Sequence, residues 1–260
     1  MNIMDWFSLK GKVALMTGGA GLYGKQIANA LAQAGARTYI ASRDVNKLEE
    51  FAVQLRGEGH EVFALQVDQG DEKSINNLRD EMLKREGKID ILVNNAVLRP
   101  MKGWSDDAER FAESMQVNAT GGFMITRAFG EVMAKAGKGS IINVGSVQGM
   151  IGPDAMIYKD VDFHGFVPDY FFHKGGMINF TRFTASYYGP DNVRCNCISP
   201  GGLQTGSHPQ LFVQNYSDRT FLGRMANNTD LMGIIVFLSS DASAYITGTN
   251  IPVDGGYTAK

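Results

Sequence analysis

The sequence is poor in cysteine, with two in 260 residues, Cys195 and Cys197. Because alternate residues of a strand point to the same face as close neighbours, this pair is poorly placed to form a disulfide with itself. No second cluster of Cys or His accompanies the pair, so a metal site is not expected. We interpret both residues as small buried hydrophobic side chains of a protein from a reducing, cytoplasmic compartment.

Long apolar runs and runs of one charge are also missing. No segment reaches the roughly 18 uninterrupted apolar residues that a membrane helix needs. Residues 1–10 include Asp5 and Trp6 and have no long apolar run, so a secretory signal peptide is not expected. The formal net charge is −2 and Lys and Arg are dispersed, so neither nucleic acid nor a membrane is an expected partner.

Short apolar segments alternate with longer helical segments along the whole chain. The segments predicted as strands are 12–16, 37–41, 61–66, 89–93, 140–144, 193–198 and 250–253. The segments predicted as helices are 22–34, 44–57, 71–86, 108–136, 171–188 and 231–238. Because most of the strands are apolar on both faces, the pattern predicts an α/β fold: a Rossmann-like, doubly wound parallel sheet of about seven strands with helices on both faces. No linker or repeat interrupts it, which predicts a single domain over 1–260.

A glycine-rich turn, with the sequence TGGAGLYG at 17–24, joins the first predicted strand to the first predicted helix. Glycines at such a turn let the backbone approach a pyrophosphate, which the helix N-terminus then stabilises. A tight turn without a ligand would have a similar sequence, but its place after the first strand of an alternating chain favours a dinucleotide site. The residues expected to contact the dinucleotide here are Thr17, Gly18, Gly21, Leu22, Tyr23 and Gly24.

The end of the second predicted strand, Ser42-Arg43-Asp44, bears on the choice of cofactor. An acidic residue at this point would hydrogen-bond the ribose 2′-hydroxyl of NAD, whereas an arginine can accept the 2′-phosphate of NADP. Ser42 stands where the acid would be and Arg43 follows it, which favours NADP, with NAD as the alternative. Asp44 argues for NAD, but we interpret it as the N-cap of the next helix.

Tyr170 and Lys174 lie four residues apart and therefore share one face of a predicted helix. A phenol titrates near pH 10, and lowering its pKa by about three units takes roughly 4 kcal/mol. One cation at about 4 Å supplies about that much. Tyr and Lys at this spacing usually mark only a solvated helix face, so a catalytic interpretation depends on the rest of the chain.

Several further motifs occur in a fixed order around this pair. They are Asp68 after the third predicted strand, Asn94-Asn95-Ala96 after the fourth, Asn118, Ser146 after the fifth, Pro200-Gly201 with Thr205 after the sixth, and Thr247-Gly248 with 253–256 near the end. Together with the glycine turn, this order resembles the short-chain dehydrogenase/reductase family over essentially the whole chain. Within that family, the chain is most similar to gluconate 5-dehydrogenase-like and other sugar-modifying members.

The resemblance implies NAD(P)(H)-dependent interconversion of a secondary alcohol and a ketone, on a sugar, polyol or sugar acid. It implies a catalytic tetrad of Asn118, Ser146, Tyr170 and Lys174. Tyr170 would be the general acid and base, Ser146 would hydrogen-bond the substrate oxygen, and Lys174 would lower the pKa of Tyr170 and bind the nicotinamide ribose. Asn118 would hold a water that relays protons to Lys174. Further cofactor contacts are expected from Asp68, Asn94, Ala96, Pro200, Gly201 and Thr205.

Simpler roles remain open for some of these residues: a cap for Asp68, a turn residue for Asn94 and a helix bend for Asn118. The family also implies a homotetramer or homodimer, with interfaces formed by the helices at 108–136 and 171–188 and by the C-terminal strand region. Two alternative functions are open. One is a 3-oxoacyl thioester reductase, which should have an apolar lid, and the other is a non-catalytic protein that senses the cofactor.

The chain departs from the family pattern at three places. Leu22 replaces a glycine of the usual T-G-x-x-x-G-x-G turn, and Val97 replaces the glycine common after Asn-Asn-Ala. Tyr170 follows Ser146 by 24 residues, where about a dozen is usual in the family. Tyr158 stands at the usual distance, but the residue four positions on is an aspartate rather than a lysine. We therefore choose Tyr170 and predict an insertion at about 152–168.

The predicted insertion carries the polar residues Lys159, Asp160, Asp162 and His164. It is either a lid that brings polar groups to a hydroxylated substrate, or a solvated loop or oligomer contact. The family's substrate loop corresponds to about 205–221. His173 is expected to point away from the face shared by Tyr170 and Lys174, and to be structural or to face an interface.

Overall fold

The fold is seen in a computed structural model that describes residues 2–162 and 165–259. Its strands are β1 Val13–Thr17, β2 Arg37–Ser42, β3 Val62–Gln66, β4 Ile91–Asn94, β5 Gly139–Val144, β6 Val193–Pro200 and β7 Asn250–Val253. Its α-helices are α1 Leu22–Gln33, α2 Val45–Gly57, α3 Glu72–Glu86, α4 Ala108–Met115, α5 Gly121–Ala136, α6 Pro168–Tyr188, α7 Gln210–Ser217 and α8 Met232–Ser239. Within the described ranges, seven strands form one sheet in the order β3-β2-β1-β4-β5-β6-β7, and all neighbours are parallel.

Apolar side chains cover both faces of this sheet. Along β1, Ala14 and Met16 belong to one buried cluster, and Val13 and Leu15 belong to the cluster on the opposite face. Each fully buried large apolar side chain contributes about 1.5–3 kcal/mol, so the two clusters hold helices against both faces. The predicted α/β fold class is confirmed.

The long helix predicted at 108–136 is interrupted. A π-helical turn, Gln116–Thr120, separates α4 from α5. A Cβ at Gly121 would lie 2.2 Å from the carbonyl oxygen of Gln69, so the glycine lets this bend approach the loop after β3. Asn118 lies in this π turn, so the helix bend left open as its role is present here.

Helix α6 and the region after β6 also differ in detail from the prediction. α6 begins at Pro168 rather than at 171, with the proline in the first turn, where its missing N–H costs nothing. A helix that was not predicted, α7, lies inside the predicted substrate loop.

The order of the strands determines where a ligand can bind. The chain moves outward from β1 to β2 and β3, and then crosses back to β4 on the other side of β1. The loops after β1 and β4 therefore turn in opposite directions and leave a crevice at the carboxyl edge of the sheet. In the described part of the chain, no helix is both long and apolar enough to span a membrane.

Candidate active site

A cavity of about 720 Å³ opens at this carboxyl edge. The glycine turn after β1 forms one end of it, and Tyr170 of α6 lies at the other. Parts of 144–154 and of 200–216, together with 157–158 and 165–167, complete its walls. The predicted site residues that line the cavity are Gly18, Gly21, Leu22, Tyr23, Gly24, Ser42, Ala96, Ser146, Tyr170, Lys174, Pro200 and Gly201.

The glycine turn exposes its backbone to the cavity because it has few side chains. Gly18 has a φ of +72°, and a Cβ at Gly24 would lie 2.1 Å from the carbonyl oxygen of Gly18. Gly21 precedes α1 and offers no side-chain cap, so backbone N–H groups of the first turn are left for a ligand. Leu22, which replaces a family glycine, is 67% exposed and does not fill the turn. These features fit the pyrophosphate of a dinucleotide.

The ribose end of the cavity is lined by Ser42, Asp44 and Lys47. The Asp44 carboxylate accepts a hydrogen bond from the Lys47 backbone N–H at 3.3 Å, which confirms it as the N-cap of α2. The Lys47 ammonium lies 3.7 Å from the same carboxylate. Arg43 is exposed and is not among the lining residues, whereas Lys47, one turn into α2, was not singled out in the sequence.

Two predicted cofactor residues lie beneath the cavity rather than on its surface. The Thr17 hydroxyl accepts hydrogen bonds from the backbone N–H groups of Asn95 and Ala96 at 3.2 and 3.0 Å, and so ties β1 to the loop after β4. The Asn94 amide donates to the hydroxyl of Thr126 and to the side-chain oxygen of Asn143. Both residues therefore support the cavity wall through hydrogen bonds without lining the cavity themselves.

Three other predicted residues are also engaged elsewhere. Asp68 is exposed and accepts a hydrogen bond from the backbone N–H of Gly70 at 2.9 Å in a local turn, whereas the N-cap of α3 is Asp71. The Thr205 hydroxyl shares a hydrogen bond with Ser207 at 2.9 Å. The Asn118 side chain exchanges two hydrogen bonds with the backbone of Leu98, at 2.8 and 2.7 Å, and thereby fixes the loop after β4.

The catalytic end has a buried phenol beside two cations. Tyr170 is 9% exposed and Lys174 3% exposed. The Lys174 ammonium donates to the carbonyl oxygen of Val144 at 2.5 Å and lies 5.6 Å from the centroid of the Tyr170 ring. The guanidinium carbon of Arg99, in the loop after β4, lies 4.1 Å from the same centroid.

These charges decide how Tyr170 titrates. Burial by itself raises the pKa of Tyr170, but the charges of Lys174 and Arg99 and hydrogen bonds from Ser146 and Arg99 outweigh it, so the pKa falls below the usual 10. Burial lowers the pKa of Lys174, and the nearby phenol partly offsets this. The site therefore holds a phenol adapted to exchange protons nearer neutral pH, as an acid/base catalyst needs.

Tyr158, the competing tyrosine, lies in a different environment. It is half-buried, with its ring centroid 4.8 Å from that of Phe166 and 5.5 Å from that of Phe212. Burial raises the pKa of Tyr158, although the charge of Arg99 acts in the opposite sense. The structure thus brings Ser146, Tyr170 and Lys174 together, whereas Tyr158 packs against Phe166 and Phe212.

The chain is similar in sequence to a described family of proteins. Residues 21–258 match the family model described as enoyl-(acyl carrier protein) reductase. Over 256 residues the chain is 32% identical to a cyclopentanol dehydrogenase of Comamonas sp. (strain NCIMB 9872), covering 96% of this chain and 98% of that protein. The chain belongs to the short-chain dehydrogenase/reductase family.

Two further relatives of this short-chain dehydrogenase/reductase extend the comparison. The 2-dehydro-3-deoxy-D-gluconate 5-dehydrogenase of Escherichia coli K12 is 34% identical over 269 residues, covering 99% of this chain and all of that protein. A crystal structure of a gluconate 5-dehydrogenase from Burkholderia cenocepacia J2315, in complex with NADP and tartrate, superposes with a TM-score of 0.90. It is 29% identical and covers 100% of both chains. The resemblance inferred from the ordered motifs is confirmed.

The predicted insertion and the substrate loop pack against each other in this short-chain dehydrogenase/reductase. The amide of Asn215 in α7 donates to the carbonyl oxygen of Lys159 at 2.9 Å, and Arg219 forms an ion pair with Asp154 at 3.4 Å. Ile157 is buried in a cluster that includes Phe212. We call the described parts of 152–167 and 208–216 that line the cavity its roof.

The roof differs from the polar lid considered in the sequence. Lys159, Asp160 and Asp162 are not among the residues that line the cavity, and His164 lies outside the described residues. The cavity side of the roof presents mainly apolar residues, Ile157, Phe166, Val167 and Phe212, beside Tyr158, with Asp154 and His208 as its charged or titratable members. The long polar side chains lie away from the cavity because water solvates them at no cost.

His173 is buried, which fits the structural role that was one of its two expected roles. It is 5% exposed, and its ring lies edge-on to that of Tyr170 at 5.2 Å rather than pointing away from it. Burial, together with the charges of Lys174 and Arg99, lowers the pKa of His173 to about 3, so the ring stays neutral. Neither ring nitrogen has a hydrogen-bond partner among the described residues, and the same holds for both carboxylate oxygens of the buried Asp169.

Arg99 is a charged residue of the site that was not predicted from the sequence. It lies three residues beyond Ala96, in a loop whose other positions up to Met101 are uncharged. A charged side chain just after a buried strand, at the carboxyl edge of a parallel sheet, is the signal that could have revealed it.

Proposed function

We propose that this protein is an NADP-preferring dehydrogenase that interconverts a secondary alcohol and a ketone on a polyol, sugar or sugar acid. The observation that carries the proposal is the buried phenol of Tyr170, held between Lys174 and Arg99 beside Ser146 at one end of a dinucleotide-sized cavity. The three relatives described above are all named as dehydrogenases of alcohols or of sugar acids.

Alcohol oxidation moves a hydride and a proton. A nicotinamide held at the glycine turn would supply the hydride acceptor, and the side chains of the site would remove the proton. Tyr170, as phenolate, removes the hydroxyl proton, and the Lys174 charge stabilises the phenolate that must form first. Ser146 donates a hydrogen bond to the substrate oxygen and fixes its position against Tyr170. In ketone reduction the same phenol returns the proton.

Asn118 completes the proposed tetrad in a supporting position. Its side chain binds the backbone of Leu98 and the hydroxyl of Ser114. These bonds hold the loop that carries Arg99 against the π turn before α5. The proton relay through a water, implied by the family, remains a prediction for this residue.

The preference for NADP rests on the ribose end of the cavity. Ser42 stands where an acid would bind a 2′-hydroxyl. Lys47 lines the cavity beside it, and Arg43, the next residue in the chain, adds positive charge outside the lining. Asp44 is already occupied as a helix cap and as a partner of Lys47. Two cations beside a small hydroxyl suit a 2′-phosphate better than a free hydroxyl. NAD is the alternative cofactor.

A 3-oxoacyl thioester reductase is the second candidate, and the roof is the observation that favours it. Ile157, Phe166 and Phe212 offer an apolar surface of the kind that an acyl chain or pantetheine arm would contact. The cations at the catalytic end, Arg99 and Lys174, favour a polar substrate instead.

We also propose assembly into a homotetramer or homodimer through α5 and α6. The rings of Phe123, Phe180, Phe183 and Tyr187 form a connected row, with neighbouring centroids 6.1–6.5 Å apart. Phe183 and Tyr187 are 63% and 60% exposed on the single chain. An exposed aromatic row of this kind is typical of an interface between copies.

The proposal is tested with the purified protein, NADPH or NADP, and a panel of ketoses, sugar acids, polyols and acetoacetyl thioesters. Turnover is followed by the absorbance of the reduced nicotinamide. We expect turnover of polyhydroxylated substrates. Turnover confined to thioesters would establish the second candidate, and tight NADPH binding without turnover of any substrate would identify a cofactor sensor.

A further inference from the structure

Arg99 is placed to contact the substrate itself. The cavity lies between the glycine turn, where the dinucleotide fits, and the phenol of Tyr170, where the reacting oxygen must sit. The guanidinium of Arg99 lies over the Tyr170 ring at 4.1 Å and lines the same cavity. A substrate whose hydroxyl meets Tyr170 therefore has its neighbouring carbons beside Arg99.

Arg99 has no acidic partner of its own. Within 2–162 and 165–259, no ion pair joins its guanidinium to an Asp or Glu. The acidic side chain in the nearby wall, Asp154, is engaged by Arg219 at 3.4 Å and caps the backbone N–H of Met156 at 2.9 Å. Apart from its contact with Tyr170, the guanidinium of Arg99 is thus left for a ligand.

Apart from Asp154, which is paired with Arg219, the other charges at this end are positive. Lys174 is buried beside Tyr170, and Lys102 lines the cavity on the loop that carries Arg99. Among the described lining residues, Asp44 is the other acidic side chain, and it is engaged by Lys47 at the ribose end. The catalytic end therefore has an excess of positive charge in a partly apolar enclosure, where an anionic group binds more strongly than in water.

We propose that the substrate carries a carboxylate close to the reacting carbinol, and that Arg99 binds this carboxylate. The inference rests on the proposed function and narrows its substrate class to hydroxy acids of the sugar-acid type. A planar guanidinium matches a carboxylate with two parallel hydrogen bonds, which a polyol hydroxyl cannot reproduce. Arg99 is in this sense a specificity residue that also lies against the catalytic phenol.

The test compares matched substrates that differ only in charge: aldonates and alditols of four, five and six carbons, assayed with the wild type, Arg99→Gln and Arg99→Lys. We expect the kcat/KM of the wild type to be about 10- to 100-fold higher for an aldonate than for the alditol of the same length. This is the difference in binding that a charge-assisted pair of hydrogen bonds typically gives. Arg99→Gln should remove this preference and Arg99→Lys should keep part of it. The ratio of the two substrates cancels any effect of Arg99 on Tyr170, because both reactions use the same phenol.

Arg85→Gln is the matched control, because Arg85 lies on α3 in an ion pair with Glu81 and away from the cavity. It should keep the preference unchanged, and thermal melting shows whether each variant is folded. Equal turnover of aldonates and alditols by the wild type, or equal loss of both in Arg99→Gln, would overturn the inference while leaving the proposed function intact. A preference for an alditol phosphate over the aldonate would overturn the carboxylate assignment. Absence of turnover on every polyhydroxylated substrate would instead refute the proposed function.

Discussion

The two ends of the cavity are built from different parts of the chain. The cofactor end is mainly backbone: Gly18, Gly21 and Gly24 form a turn that works because side chains are missing. The catalytic end is made of side chains, with Tyr170 from α6 and Arg99 from the loop after β4. Changes at the first end should act through shape, and changes at the second through charge and proton transfer.

The largest expected effect is at the side-chain end, in the pair Tyr170→Phe and Tyr158→Phe. Loss of the Tyr170 hydroxyl removes the acid/base group, so kcat should fall by about a thousandfold or more, with NADPH affinity retained. Tyr158→Phe keeps the ring contacts with Phe166 and Phe212, so it should change kcat by severalfold at most. Steady-state kinetics and NADPH titration measure both. The reverse order would assign the chemistry to Tyr158.

The second-largest expected effect is a shift in the pH dependence of alcohol oxidation. The base is the Tyr170 phenolate, so the rate should fall as the pH drops through the pKa of Tyr170. Because Lys174 is the strongest of the influences that lower this pKa, Lys174→Gln should move the fall in rate to higher pH. A kcat–pH profile under saturating cofactor measures the shift. A profile that did not move would show that Lys174 serves only to bind the cofactor.

The backbone end is tested by Gly24→Ala. The new Cβ would lie 2.1 Å from the Gly18 carbonyl oxygen, so the turn must open. We expect at least about tenfold weaker NADPH binding and a loss of about 1–3 kcal/mol in the free energy of unfolding. Gly122→Ala in α5 is the control, because a Cβ there meets nothing within 4 Å and alanine favours a helix. Wild-type NADPH affinity in Gly24→Ala would show that the turn does not shape the cofactor site.

The same contrast explains what could be predicted from the sequence. The glycine turn and the alternating strands are local patterns, and both the turn and the fold could be read directly. Tyr170 could be chosen over Tyr158 because the lysine one helical turn away is also a local feature. The position of Arg99 beside Tyr170 and the apolar character of the roof depend on which loops come together in the fold. Residue spacing along the chain does not show this. The contact of His173 with Tyr170 could not be predicted, because helical spacing shows which face a residue occupies but not what packs against that face.

The smallest expected effect lies at the ribose end, where Arg43 and Lys47 are compared. Both are exposed, so each contact with a 2′-phosphate is weakened by water and salt. Lys47 lines the cavity and Arg43 does not, so Lys47→Ala should raise the KM for NADPH by about three- to tenfold, and Arg43→Ala by less. Neither should change the KM for NADH, since the ribose of NADH carries no phosphate at this position. Equal loss with both cofactors would contradict the NADP preference, and a larger loss for Arg43→Ala would show that its exposed side chain turns toward the phosphate when the cofactor binds.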